Sequence, residues 1–147
     1  MGTRSTIEFI ETYNGKEKPI AKVYQQYDGY LAGVGKELCK WLIRKIMING
    51  IGINQYTPEY ANGLGCLAAQ FVHDFKNGVG DLYLDTLYGD EYIDYNYKVI
   101  YELKKGMPPE GIPVNDCVKI RVSNWDKKPF FEGSPIELLQ YMEKNDE

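Results

Sequence analysis

Residues 36–75 carry their apolar side chains at helical spacing, whereas the chain on either side of them alternates with a period of two. Leu38, Cys39, Leu42, Ile43, Ile46 and Met47 predict one helix over Lys36 to Asn49. Leu64, Leu67, Ala68, Phe71, Val72 and Phe75 predict a second, entered through Thr57-Pro58-Glu59, with Gly63 and Gly65 loosening its first turn. Before them, Ser5 to Thr12 (Ile7 and Phe9 on one face) and Pro19 to Gln26 read as paired strands around Asn14-Gly15. After them, Leu82 to Tyr88 and Tyr92 to Lys104 read as a long tyrosine-rich hairpin. Such a chain cannot be all-helical or a regular alternation of parallel strands and helices.

The end of the chain supports the same class. Cys117 to Ser123 predicts a strand, Phe130-Phe131 a short extended piece, and Ser134, Pro135 and Glu137 spell a capping box that opens a last helix. The pro-rich stretch Lys105 to Asp116 reads as a surface loop, because too little chain follows it to fold alone. The predicted order is β-β-α-α-β-β-β-α: an α+β fold with a largely antiparallel sheet and three helices, forming a single domain over residues 1–147.

Composition removes several functions. Of the residues 44% are hydrophobic and 26% charged, with a net charge of −4, the balance of an ordinary soluble protein. A mildly acidic chain is not expected to bind duplex nucleic acid, which requires a basic surface. No apolar run is long enough for a membrane span, so the expectation is a cytoplasmic protein with no membrane partner. One His and three isolated Cys argue against a zinc site or a disulfide framework, and no cofactor or metal is expected. No Ser or Cys nucleophile has a recognisable His and carboxylate context, and no catalytic residue is assigned. The acidic run Asp81, Asp85, Asp90, Glu91 and Asp94 reads as a solvated hairpin tip or, alternatively, as a source of catalytic carboxylates.

Chemistry concentrates instead where the second strand gives way to the first helix. Tyr24, Tyr27 and Tyr30 offer rings for base stacking, and Gln26 and Asp28 offer polar groups that read base edges. Gly33, Gly35 and Lys36 place backbone donors and a cation at a helix start, where a phosphate could sit. The spacing is not that of a Walker loop: Tyr30 and Glu37 stand where that loop needs Gly and a hydroxyl residue. The glycines equally suit a tight turn into the helix, and the tyrosines equally suit a core. Arg4 and Arg121, two of only three arginines, are the other candidate phosphate holders. Thirteen tyrosines among 147 residues also suit a wet interface, and a homodimer or higher homo-oligomer is expected.

Met1-Gly2-Thr3-Arg4-Ser5, Tyr24-Gln25-Gln26-Tyr27-Asp28-Gly29-Tyr30 and Gly33-Val34-Gly35-Lys36-Glu37-Leu38 together resemble a set of small, largely uncharacterised proteins of bacteria, phages and large DNA viruses. The resemblance marks Arg4, Tyr24, Gln26, Asp28, Tyr30 and Gly35 and implies no enzyme activity. In a phage setting, these features fit a non-enzymatic protein that sequesters a nucleotide-type immune signal, a cyclic oligonucleotide or an ADP-ribose-like molecule. The alternatives are a protein–protein interaction module using the tyrosine-rich hairpin 82–104 and a nucleotide-processing enzyme.

Overall fold

A computed structural model describes residues 2–85, 93–103, 106–126 and 128–145. The chain opens with strands β1 (Ser5–Tyr13) and β2 (Lys16–Gln25), antiparallel and joined through Asn14 and Gly15. Both turn residues have positive φ, 51° and 80°, so the right-handed twist of the strands continues through a two-residue turn. The connection is therefore shorter than the residues 13–18 read as a loop, because the polar run beyond Gly15 still pairs with β1.

An irregular turn, Leu31–Gly35, leads into helix α1 (Lys36–Ile43). The helix predicted to reach Asn49 stops at Ile43, and Ile46–Ile48 form strand β3 instead. Ile46, Met47 and Ile48 pair on one side with β4 (Tyr60–Asn62), and Ile46 and Met47 also pair on the other with β7 (Ile112–Pro113). Partners on both sides outweigh the local helical pattern. Helix α2 (Leu64–Phe75) starts after Gly63, whose φ of 87° is open to glycine, and Thr57-Pro58 lies in the turn before β4 rather than at a helix start.

Strand β5 (Leu82–Leu84) pairs with β2, and β6 (Tyr95–Glu102) runs between β1 and a later strand. The two predicted arms of the tyrosine hairpin thus do not pair with each other; β1 and β2 lie between them in the sheet. Residues 86–92, its expected tip, lie outside the described residues. A short helix α3 (Val114–Cys117) precedes β8 (Val118–Asn124), β9 (Pro129–Gly133) and α4 (Pro135–Lys144). The main sheet has the order β5-β2-β1-β6-β8-β9, antiparallel except for the parallel pair β1 and β6, and the second is β4-β3-β7. The fold is α+β with a largely antiparallel sheet, and among the described residues three helices of eight residues or more accompany the short α3.

One apolar cluster joins these layers. Ile7, Phe9, Val23, Tyr97, Val99 and Ile120 of the main sheet meet Leu38 and Leu42 of α1, Leu67 and Phe71 of α2 and Leu138 of α4. Phe71 stacks on Phe75 with centroids 4.2 Å apart and meets the edge of Trp41 at 5.6 Å, which ties α1 to α2 and fixes the space left between their exposed ends. The opposite face of the sheet centre is polar yet buried: the Asn96 amide donates to Thr6 Oγ1 at 2.7 Å and Glu8 Oε2 at 2.8 Å. No helix of the described residues is long and apolar enough to cross a membrane.

Candidate functional site

Between α1, the C-terminal end of α2 and the loop that leaves β2 lies a cleft of about 830 Å³. Its walls carry Tyr30, Trp41 and Phe75, the charged residues Asp28, Glu37, Arg44, Asp74, Lys76 and Asp81, the imidazole of His73, and the amides Gln25 and Asn77. The size suits a small organic ligand.

The loop wall is rigid for reasons written in its backbone. Asp28 has a φ of 59°, which turns its carbonyl to accept from the Val34 N–H at 2.8 Å. A Cβ on Gly33 would come within 2.3 Å of that same carbonyl oxygen, so only glycine fits. Behind the loop, the Gly29 N–H donates to Thr3 and the buried Tyr97 hydroxyl donates to Gly29 O at 2.7 Å. Gly35 packs over the Tyr97 ring, where an added Cβ would meet Oη at 3.1 Å. The N–H groups of Gly33, Val34 and Gly35 are all taken by carbonyls of Tyr30 and Asp28. An anion there would have to compete with these bonds, so the free donors of the cleft are side chains.

The helix wall is held by a polar relay. Trp41 Nε1 donates to Asp74 Oδ2 at 2.8 Å, and Asp74 Oδ1 lies 2.9 Å from His73 Nδ1. The His73 contact, and after it the Trp41 bond, holds the Asp74 carboxyl below its ordinary range. Asp74 Oδ2 is also 4.0 Å from the Nζ of Lys45, a buried ammonium that donates to Pro58 O and Gln70 Oε1 and lies 4.7 Å from the Trp41 ring centre. Burial pushes the Lys45 ammonium below its ordinary value. At the third wall, Gln25 Nε2 donates to Tyr27 O and Asp81 Oδ1, while Lys76 Nζ donates to the carbonyls of Gly80 and Leu82. Arg44, Glu37 and Asp28 have no side-chain hydrogen bond or ion pair among the described residues.

Of the residues singled out in the sequence, Asp28, Tyr30 and Gly33 line this cleft. Gln26 stands just outside it, its Oε1 accepting from the Asp81 N–H at 3.3 Å. Tyr24 faces Tyr83 with ring centres 6.0 Å apart, and Tyr27, 49% exposed, packs beside Gly2. Lys36 is exposed at the start of α1, and Gly35 is buried beneath it. Arg4 holds Asp94 through its backbone N–H, while its Nε is buried with no hydrogen-bond partner among the described residues. Arg121 belongs to a different cavity, where it bridges Glu132 at 2.9 Å and Glu17 at 3.1 Å.

The sequence reading assigned no role to Trp41, His73, Asp74 and Lys76, and Arg44 entered it only as the third of three arginines worth testing. The available signal was that Glu37, Trp41 and Arg44 fall at i, i+4 and i+7 on one helix face, directly after the loop already singled out. The tyrosines of β6, which the alternative reading as an interaction module places at an interface, are largely internal, with Tyr97 fully buried and Tyr101 6% exposed. No family model, no curated protein and no solved structure matches this chain.

Proposed function

We propose that this protein binds a nucleotide-type small molecule in the cleft between α1, α2 and the Asp28 loop and holds it unaltered, acting by sequestration. The observation that carries the reading is the coexistence, in one cleft of about 830 Å³, of a half-exposed tyrosine ring and an arginine with no partner among the described residues. Tyr30, 42% exposed, can cover a base, Arg44 can take a phosphate in its planar fork, and His73 and Lys76 can add donors. A cyclic oligonucleotide or an ADP-ribose-like signal has this combination of ring and anion. Cys39, buried in the core, and Cys66 are free thiols, which suits a reducing cytoplasm.

The decisive experiment is extraction of the purified protein followed by mass spectrometry of the filtrate, with a thermal-shift panel of cyclic oligonucleotides and ADP-ribose derivatives. A ligand bound only by the folded state raises the melting temperature by mass action. The reading requires a shift that Tyr30→Ala and Arg44→Ala remove, with the nucleotide recovered intact. No shift across the panel in the native protein sinks it.

One observation favours a second reading, a nucleotide-processing enzyme. His73, on the wall of the cleft, has Nδ1 2.9 Å from Asp74, an arrangement that leaves Nε2 available as a general base. Recovery of chemically altered nucleotide, lost in His73→Gln, would decide for it.

A further inference from the structure

Charge is distributed unevenly along the cleft. Glu37 lies in the first turn of α1 and Arg44 directly after its last residue, Ile43, with Trp41 between them in sequence, seven residues or roughly 10 Å apart along the helix direction. They do not pair with each other, and neither has another ionic partner among the described residues. Asp28 belongs to the Glu37 end, because its carbonyl accepts from Val34, one turn before Glu37. His73 and its partner Asp74 lie between the two ends, because Asp74 is bonded to Trp41. One end of the cleft thus presents free carboxylates and the other a free guanidinium, with the Asp74–His73 pair between them and the Tyr30 ring at the acidic end. The helix dipole accounts for the sign of Glu37 and Arg44, but not for Asp28, which is outside the helix.

A ligand that satisfies both ends must carry an anion at one extremity and hydrogen-bond donors at the other. The span from Glu37 to Arg44 is comparable to that from the Watson–Crick edge of a purine to its 5′-phosphate. A carboxylate has only acceptors to offer. Guanine answers it with two adjacent donors, N1–H and the N2 amino group, which pair with both carboxylate oxygens. Adenine sets the lone pair of its ring N1 against the carboxylate and has a single donor group beside it. Cytosine has the same defect at N3.

We infer that the cleft selects a guanine nucleotide, with the Glu37 carboxylate on the N1–H and N2 amino donors, Tyr30 over the ring and Arg44 on the phosphate. This rests on the nucleotide-binding reading and adds to it the identity of the base.

The test is calorimetric titration of the full chain with GMP, IMP and AMP. IMP keeps N1–H and lacks the N2 amino group. GMP is expected to bind on the order of tenfold or more tightly than AMP, since the bonds concerned reach a charged acceptor, with IMP between the two. Glu37→Gln, at an exposed position that the fold does not need, is expected to remove the preference for GMP. Equal binding of GMP and AMP by the native chain overturns the guanine assignment while leaving the nucleotide reading in place. A GMP preference that survives in Glu37→Gln also overturns it, because the carboxylate is then not the discriminator. Absence of binding by all three, together with no response to the cyclic and ADP-ribose panel, removes the nucleotide reading and this inference with it.

Discussion

The hydroxyl of Tyr97, buried in the centre of the main sheet, donates a 2.7 Å hydrogen bond to the carbonyl of Gly29 in the loop that walls the cleft. Through it β6 supports the loop from beneath, while the backbone of Thr3 supports it from the side. Tyr97→Phe keeps the ring and removes the donor, leaving the Gly29 carbonyl without this bond. The expected cost is about 1–2 kcal/mol, read as a lower urea midpoint with unchanged slope. A change below a few tenths would mean that Gly29 has another partner.

The loop's geometry makes a sharper contrast between two glycines. Gly33→Ala places a Cβ where the Asp28 carbonyl oxygen already is, at 2.3 Å, and backbone cannot yield as a flexible side chain can. It is expected to destabilise the protein by about 1–3 kcal/mol and to weaken ligand binding in the cleft. Gly65→Ala, inside α2 with nothing within 4 Å of the new Cβ, is expected to stabilise by roughly 0.5–1 kcal/mol. Thermal melts of the two variants should move in opposite directions; movement in the same direction would contradict the close approach at Asp28.

Asp74 supplies a pH dependence whose sign is fixed. Its carboxyl is held below the ordinary aspartate range, first by His73 and then by Trp41. A carboxyl with a depressed value in the folded state contributes stability that is complete above its unfolded value and lost as the pH falls through the folded one. Asp74→Asn should therefore leave the stability profile parallel to the native one between neutrality and about pH 5 and flatten its acid limb below that, as the pH falls through the depressed Asp74 value. At neutral pH it should cost about 1 kcal/mol, because the buried Lys45 ammonium and Trp41 Nε1 lose the charged acceptor. Denaturant melts from neutrality down to about pH 3 measure both, and native and variant profiles that stay parallel below about pH 5 would contradict the contact.

Features with local causes were legible in the sequence. The capping box is one: Ser134 Oγ accepts from the Glu137 N–H and Glu137 Oε1 from the Ser134 N–H, as their spacing implies. The Asn14-Gly15 turn and the apolar face of α2 are others. What failed depends on partners distant in sequence. Ile46 and Met47 continue a helical pattern, yet Tyr60, Ala61, Ile112 and Pro113 draw them into a sheet. Tyr95 to Tyr101 has the alternation of a hairpin arm, but no local rule says that it enters beside β1 in parallel. The site divides the same way. Asp28, Tyr30 and Gly33 share a contiguous loop, whereas His73, Asp74 and Lys76 reach the cleft only because Phe71 and Phe75 pack α2 against Trp41.

Arg121 separates stability from binding. Its guanidinium joins Glu132 on the neighbouring strand to Glu17 at the start of β2, three strands away in sheet order, and the bond from Arg121 holds the Glu132 carboxyl below its ordinary value. Both carboxylates are about two-fifths exposed, at 40% and 43%, so solvent screens the network. Arg121→Ala is expected to cost about 1 kcal/mol at low ionic strength and less in molar salt. Because Arg121 lines a different cavity from Tyr30 and Arg44, the same variant should bind a cleft ligand within about twofold of the native chain, as distant sites act independently. Calorimetry on Arg121→Ala and Arg44→Ala side by side checks this. A loss confined to Arg44→Ala places the anion in the cleft beside α1, and a loss confined to Arg121→Ala moves it to the cavity between β8, β9 and the start of β2.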